Sequence, residues 1–164
     1  MSNTIRIVNL STSPVAVPLF TDVVDSLEDR SDVQKTVNAD DLVLTGLPAL
    51  GVAAFVDGAA VGADVQERTA SAVLVAADLV DGGLNLIVAD ASAAPVTITL
   101  PLTTTLAAGT QVWIYAANVD NALNVDDNAA DTIDGGAGPV ALTPVGSVIR
   151  LSNDAVSNWD NIDT

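Results

Sequence analysis

The chain has 164 residues, 49% of them apolar, and a formal net charge of −16 from 21 acidic and five basic side chains. This length allows one ordinary domain or two small units, and the excess of carboxylates argues against nucleic-acid binding, because phosphate contacts depend on Lys and Arg. The sequence contains no Cys and no His, which excludes disulfides and removes the commonest general base and metal ligand.

The charged residues also indicate the conditions that the protein tolerates. Lys35 is the only lysine, and Asp is far more frequent than Glu. Self-repulsion of this size is tolerable in concentrated salt, where the Debye length falls to about 3 Å at 1 M. The composition is therefore typical of a halophilic protein, with an acidic protein from an ordinary source as the alternative. No apolar run approaches the roughly 20 residues of a spanning helix, so we expect no membrane association and no signal peptide.

The first residues predict extended segments. Thr4 to Leu10 alternates in polarity, which is typical of a strand, and residues 15–20 form a second extended segment that Pro18 confines to a sheet edge or an arm. An arm with unpaired backbone groups can add a strand to a neighbouring subunit. We therefore predict that residues 1–83 form an N-terminal arm and a smaller β-rich attachment unit.

The rest of the first half carries weaker patterns. The charged stretch from Thr21 to Lys35 predicts a surface loop with at most one helical turn. Leu42 to Leu44 is predicted as a strand that ends before Gly46 and Pro48. The segment from 65 to 71 is polar. Val73 to Ala76 predicts a further strand, with a helix over residues 70–80 as the alternative because Ala favours helices.

The second half predicts a compact β unit over residues 84–164. Its clearest strand is Val96 to Leu100, where apolar residues alternate with threonines between Pro95 and Pro101. Further short strands are predicted at 84–89, 111–116, 123–125, 140–142, 147–151 and 158–162, separated by turns rich in Gly, Asp and Asn. We predict an all-β fold in which this unit is a short-stranded antiparallel sandwich or a barrel-like sheet.

The strand from Gln111 to Ala116 is apolar on both faces. Trp113 and Tyr115 lie on the face opposite Val112 and Ile114. Because one face suffices for a core within the chain, the other face is a candidate contact between subunits, where Trp and Tyr are enriched. The alternative places both aromatic residues in the ordinary core of the subunit.

Acidic and glycine-rich segments offer only weak signals for chemistry. The residues between 120 and 131 could supply oxygen ligands to Ca²⁺, but the glycine and final Glu of an EF-hand are missing, so a solvated turn is favoured. The ligand candidates are Asp120, Asn121, Asp126, Asp127, Asn128 and Asp131. Gly135, Gly136 and Gly138 lack the Lys of a phosphate-binding loop. We predict no catalytic residue, no resident metal and no cofactor.

Five short motifs follow one another in the second half. They are Asp90, the segment TITLP from Thr97 to Pro101, Gly109, the segment DTIDG from Asp131 to Gly135, and the pair Asn158-Trp159. Their order resembles a β module found in virion surface proteins of tailed viruses, among them tail fibres, head fibres and capsid decoration proteins. The chain departs from that pattern where residues 155–157 replace a glycine before Asn-Trp, and where basic residues after the Gly-led strand are missing.

The resemblance implies a non-enzymatic virion structural protein on the outer surface of the capsid. The expected protein is a homotrimeric decoration or head spike that binds the major capsid protein and stabilises the shell. Trp113 and Tyr115 are the candidate contacts within the trimer. The candidate contacts with the capsid are Ile5, Ile7, Val15, Val17 and Phe20. A tail-fibre or receptor-binding adhesin is the first alternative, and a secreted glycan-binding or glycan-active domain is the second.

Overall fold

The computed structural model describes residues 65–162 throughout and, before them, six strands at 2–9, 15–18, 24–27, 32–38, 52–56 and 59–60. Within those six strands it describes five side chains, namely Arg6, Ile7, Val8, Val52 and Ala54. The described residues are almost entirely β structure, which confirms the predicted all-β class. Their only helices are two three-residue 3-10 turns, Ala76–Asp78 and Thr103–Thr105, so no described helix is long enough to cross a membrane.

The described strands of the N-terminal half form two small sheets. Its strands are β1 (Ser2–Asn9), β2 (Val15–Pro18), β3 (Val24–Leu27), β4 (Asp32–Asn38), β5 (Val52–Val56) and β6 (Ala59–Ala60). One sheet has the order β4-β1-β5-β6, and the other pairs β2 with β3. The strand predicted at Thr4 to Leu10 is confirmed as β1, which is central in its sheet and pairs on both sides within the chain. The predicted loop from Thr21 to Lys35 is wrong, since it contains β3 and most of β4.

Ten strands make up the rest of the described chain. They are β7 (Val65–Arg68), β8 (Ala72–Val73), β9 (Leu84–Asp90), β10 (Val96–Thr99), β11 (Gln111–Asn118), β12 (Leu123–Asp126), β13 (Thr132–Ile133), β14 (Val140–Ala141), β15 (Val148–Asn153) and β16 (Asn158–Asn161). The six-stranded sheet has the order β13-β16-β15-β11-β9-β7, and the four-stranded sheet has the order β14-β12-β10-β8. The helix considered over residues 70–80 is not formed beyond one 3-10 turn.

Consecutive strands from β7 to β12 alternate between the two sheets. As a result β7, β9 and β11 are parallel neighbours in one sheet, and β8, β10 and β12 are parallel neighbours in the other. The predicted antiparallel arrangement therefore does not extend to these pairs of strands. Each loop crosses from one layer to the other, so the strand in the opposite sheet serves as the crossover that parallel neighbours require. Antiparallel pairing returns where β14 joins β12 and where β15 joins β11 and β16.

The main core lies between these two sheets. Alternate residues of β9, β11 and β15 meet those of β10 and β12, and the largest side chain in the cluster is Trp159 of β16. Ile87, Ile98 and Ile114 are fully buried in the same cluster. Because aromatic residues are few, aliphatic side chains fill most of the space between the layers, as the composition predicts.

A second cluster covers the outer face of the six-stranded sheet. It contains Leu86, Val88 and Tyr115 from the sheet, and Val8 of β1 packs onto it. The carboxylate of Glu67 on β7 forms an ion pair with Arg6 of β1, with 2.6 Å between Arg6 Nη1 and Glu67 Oε1. The first strand of the chain therefore lies against the outer face of this sheet.

The predicted boundary at residue 83 does not separate the sheets. β7 and β8 precede it, yet β7 pairs with β9 and β8 pairs with β10. Residues 65–83 thus belong to the two-layered unit. Although the sequence of β7 is mostly polar, β7 is an edge strand of the six-stranded sheet, and its first residue, Val65, is buried. The strand predicted at Leu42 to Leu44 lies outside the described residues.

Candidate functional site

Trp159 connects two of the five motifs inside the core. It lies on β16, is 0% exposed, and packs between the sheets beside Ile133 and Leu151. Its indole Nε1 donates a hydrogen bond to the backbone oxygen of Pro101, at 3.3 Å. A buried indole N–H needs such a partner, so the Asn-Trp pair and the end of TITLP hold each other in place.

Asp131 connects the DTIDG segment to the loop that follows Pro101. Its carboxylate is buried and accepts hydrogen bonds from the backbone N–H of Thr103, at 2.8 Å, and from the Thr103 hydroxyl, at 3.2 Å. The Thr103 side chain is buried as well. The carboxylate thereby satisfies a backbone donor at the start of the second 3-10 turn.

The end of DTIDG is a turn that the Asn158-Trp159 strand supports. Asp134 and Gly135 have positive φ angles of 51° and 72°. Asn158 Oδ1 accepts from the backbone N–H of Gly135 and from the Thr132 hydroxyl, and Asp134 Oδ1 accepts from the backbone N–H of Asn161. Asp at the first position tolerates the left-handed conformation, and Gly adopts it without a steric penalty.

Gly109 lies at a turn before β11, with φ +83°, and its backbone N–H donates to the backbone oxygen of Asn153 at 2.8 Å. The Asn153 side chain, which is buried, donates to the backbone oxygens of Thr103, Leu106 and Ala107. Asn153 therefore organises the whole loop between TITLP and Gly109. The sequence reasoning missed this residue.

Gly109→Ala is expected to lower the free energy of unfolding by about 1–2 kcal/mol, because a Cβ is disfavoured at this φ. No atom lies within 4 Å of that Cβ position, so the effect isolates the backbone conformation. Gly136→Ala is the matched control, since Gly136 has no positive φ and its added Cβ would meet only ordinary van der Waals contact. Urea unfolding midpoints check both variants. Equal midpoints for the two alanine variants would contradict the assignment.

Asp90 at the end of β9 and Asn118 at the end of β11 begin similar turns. Asp90 Oδ1 accepts from the backbone N–H of Ser92, and Asn118 Oδ1 accepts from the backbone N–H of Asp120. Asp90 and Asn118 are partners in the register of β9 and β11. Both side chains therefore stabilise the point at which the chain leaves the six-stranded sheet.

Asp154 holds residues 155–157, the segment that departs from the family pattern. Its Oδ1 accepts from the backbone N–H groups of Asn158, Val156 and Ser157, at distances of 3.0, 2.7 and 3.0 Å. These bonds, that from Asn158 foremost, lower the pKa of Asp154 below its ordinary value. They also fix a turn in which Ala155 adopts a positive φ of 59°, a conformation that a glycine would adopt more easily.

The lowered pKa of Asp154 predicts a pH dependence of stability. The folded state binds the proton less readily than the unfolded state, so the contribution is complete above about pH 4 and is lost as the pH falls through the lowered folded value. We expect the native protein to be more stable than Asp154→Asn near neutral pH, and the difference to shrink in acid. Unfolding midpoints of both proteins at constant salt test this, and a difference that does not change with pH would refute it.

The calcium candidates between 120 and 131 do not converge on a common point. Asn121 donates to the backbone oxygens of Ala91 and Ser92, and Asp127 Oδ2 accepts from the backbone N–H of Gly138. Asp131 faces Thr103, as described above. Among the side chains that the structure describes, no three acidic residues lie close enough together to hold a metal ion.

The two aromatic candidates for a subunit contact lie on the outer face of the six-stranded sheet, as the alternation predicts. Tyr115 is 4% exposed within the single chain and packs with Val8 and Val88, whereas Trp113 is half-buried. The guanidinium of Arg150, itself buried, lies 4.8 Å from the centroid of the Trp113 ring. Only Trp113 therefore keeps appreciable surface for another molecule, and its role between subunits stays a prediction.

The candidate capsid contacts are placed only in part. The side chain of Ile7 is 3% exposed, so it is buried within the single chain. Ile5 lies on β1, and Val15 and Val17 lie on β2, where the structure describes the backbone alone. Phe20 lies outside the described residues.

Three of the motifs, TITLP, DTIDG and Asn158-Trp159, therefore bind one another, while Asp90 and Gly109 bind backbone groups elsewhere in the same chain. This arrangement builds a scaffold and fixes loops. No protein-family model matches the chain, and no curated protein matches it in sequence.

Proposed function

We propose that the chain is a non-enzymatic structural protein of a virion surface, a capsid decoration or head spike. In this proposal it binds the major capsid protein, acts as a homotrimer, and stabilises the shell through many weak contacts between subunits. The proposal starts from the resemblance of the five motifs to the β module of tailed-virus surface proteins. The sandwich supplies a rigid block for such a role.

One observation supports the proposal most directly. Three of the five motifs are joined directly by hydrogen bonds, from Trp159 Nε1 to the backbone oxygen of Pro101 and from the Gly135 N–H to Asn158 Oδ1. The residues that carry the resemblance thus serve the architecture of a module. A mechanical role needs such a framework, whereas a catalytic role needs side chains directed at a substrate.

The acidic composition fits the same role in concentrated salt. A net charge of −16 keeps the surface hydrated, and salt screens the repulsion between neighbouring copies. We expect purified protein to associate more strongly as the salt concentration rises. A protein whose association weakens with salt would contradict this part of the proposal.

Immunogold labelling of intact particles tests the proposed function. An antibody raised against the purified chain is applied to virions from the source of the gene, and the same particles are analysed by mass spectrometry. Label distributed over the heads is expected. Label confined to the tails would replace decoration by an adhesin role, and a chain that is absent from the particles would overturn the proposal. Particles treated with pre-immune serum are the control.

A further inference from the structure

Arg68 places a guanidinium at the edge of the sandwich. It is the last residue of β7, the edge strand of the six-stranded sheet. Val65 of β7 belongs to the cluster on the outer face, whereas Ala89, the register partner of Arg68, belongs to the core between the sheets. Because side chains alternate along a strand, Gln66 and Arg68 lie on the inner side of β7. The Arg68 side chain is therefore half-buried beside the core.

The hydrogen bonds of this guanidinium are incomplete within the described chain. Its Nη2 donates to Gln66 Oε1, at 2.5 Å, and no described carboxylate lies within ion-pair distance of it. Its Nε is buried and has no hydrogen-bond partner, and among the described side chains it is the only polar atom in that state. Buried donors without a partner are rare in proteins, and a bound ion is one of the recognised explanations.

Gln66 fixes the position of the Arg68 guanidinium. Its Nε2 donates to the backbone oxygen of Asp78, so its amide oxygen is directed at Arg68. Gln66 is half-buried as well, which restricts the movement of both side chains. The guanidinium is thus held by a neutral acceptor, and this contact leaves its positive charge uncompensated.

Two acidic residues adjoin this guanidinium, but both carboxylates bind other groups. Glu67 precedes Arg68 in β7 and pairs with Arg6 of β1. The carboxylate of Asp78 accepts a hydrogen bond from the backbone N–H of Val75, at 2.9 Å. The described part of the chain therefore leaves one of only five basic side chains without an ion pair, although 21 side chains are acidic.

We infer that the Arg68 guanidinium, positioned by Gln66, binds a carboxylate group. A guanidinium presents its N–H donors in one plane, and this geometry matches the two oxygens of a carboxylate. Since Nε is the only nitrogen of Arg68 that is both buried and unpaired, Nη1 stays open to the ligand. The positive charge is delocalised over the whole group, so a carboxylate at the Nη atoms also compensates the charge near the buried Nε.

Charge and shape select this ligand over other anions. A net charge of −16 repels a dianion about twice as strongly as a monoanion, because Coulomb energy is proportional to charge. Chloride has the charge of a carboxylate but lacks its second acceptor atom. The carboxylate is supplied either by a small organic acid or by an acidic side chain of a second copy of this chain, and both present the same group to Arg68. The inference does not depend on the proposed virion role.

An acetate titration followed by NMR tests the inference. The full chain is labelled with ¹⁵N in its arginine side chains, and the Nε–H signal of Arg68 is identified by its loss in Arg68→Lys. Sodium acetate replaces sodium chloride at neutral pH and constant ionic strength. We expect a saturable shift of the Arg68 signal. Arg6 is the control within the same molecule, because its guanidinium is already paired with Glu67, and its signal is expected not to saturate.

Gln66→Glu tests the site by supplying a carboxylate from within the chain. The new carboxylate pairs with Arg68 and competes with acetate, so the dissociation constant for acetate is expected to rise by at least about tenfold. Gln111→Glu is the matched control, because it makes the same change at a half-buried position on the outer face of the sheet. That variant is expected to bind acetate as the native protein does. Circular dichroism spectra check that both variants are folded.

Three outcomes would overturn the inference. They are an Arg68 signal that does not move with acetate, one that moves only in proportion to the Arg6 signal, and a Gln66→Glu variant that responds to acetate like Gln111→Glu. The native titration decides the question by itself if Gln66→Glu does not fold.

Sedimentation velocity in high salt distinguishes the two sources of the carboxylate. If a second copy supplies it, acetate is expected to dissociate the native assembly, and Arg68→Lys to assemble less than the native protein. If a small organic acid supplies it, neither change affects assembly, while the NMR shift still saturates. These measurements use purified protein, so their failure would leave the labelling of virions untouched, and unlabelled virions would leave the carboxylate site untouched.

Discussion

Trp159→Ala is expected to lower the free energy of unfolding by about 3–5 kcal/mol, the range for removing a large aromatic side chain from a core. The side chain is 0% exposed and is the largest of the fully buried residues. Its removal leaves a cavity between the two sheets and an unpaired backbone oxygen at Pro101. Urea unfolding followed by circular dichroism, at fixed salt and protein concentration, measures the change.

Two variants separate the parts of this effect. Trp159→Phe keeps much of the packing but removes the N–H donor, so it is expected to cost less than the alanine variant. Val156→Ala changes an exposed side chain and is expected to stay within about 0.5 kcal/mol of the native protein. If Trp159→Ala unfolds at the native urea concentration, Trp159 does not hold the sheets together.

Asn153→Asp is the second substitution with a large expected effect, about 3–5 kcal/mol of destabilisation, as for an uncompensated buried charge. The native amide donates to three backbone oxygens, while its Oδ1 accepts from the N–H of Ala155 at 2.7 Å. A carboxylate has the same shape but cannot donate. It would place a negative charge against three carbonyl oxygens in a site that is 2% exposed.

The pH dependence of this variant identifies the cause. Burial and the facing carbonyl oxygens raise the pKa of the new carboxyl in the folded state, so the folded variant binds a proton more readily than the unfolded one. The stability lost relative to the native protein is therefore partly recovered as the pH falls. Asn124→Asp adds the same charge at a half-buried position on β12 and is expected to cost far less. Equal losses in the two variants would exclude the proposed role of Asn153.

The strands of the second half were predictable because their pattern depends on local polarity. The alternation of Val96, Ile98 and Leu100 between two prolines predicts β10, and all three residues are buried. The same reasoning correctly separates Ile114 and Tyr115 onto opposite faces of β11. A period of two identifies the face of a residue, since successive side chains point to opposite sides.

The pairing of strands was not predictable in the same way. Alternation contains no information on which strand lies next to another, and the sequence predicted only turns after β9 and β11 within an antiparallel unit. In the structure those loops cross between layers instead. β7 was missed because its sequence, VQER, is short and polar, and the covering of Tyr115 by Val8 was missed because β1 lies far away in the sequence.

The candidate site was predictable only where a recognisable motif marked it. Trp159 and Asp131 belong to the segments that carry the resemblance, and the structure shows their contacts. Asn153 is the last residue of the strand VIRLSN, and an Asn before a turn is too common in sequences to mark it as special. Its importance depends on three carbonyl groups almost fifty residues earlier in the chain, which no local pattern reveals.

The winding of residues 65–126 between two layers has a consequence for the way this chain reaches its native state. Leu86 of β9 pairs with Trp113 of β11, and Ile98 of β10 pairs with Val125 of β12. No strand in this region therefore pairs with the strand that follows it in the sequence. Each pairing requires the chain to close a long loop, and the conformational entropy of that loop is lost before the paired strands contribute any stabilising contacts. Hairpins, which could act as local nuclei, are not available in this region. The chain should accordingly fold slowly for its size, with a high relative contact order and a transition state that requires several turns of the winding at once.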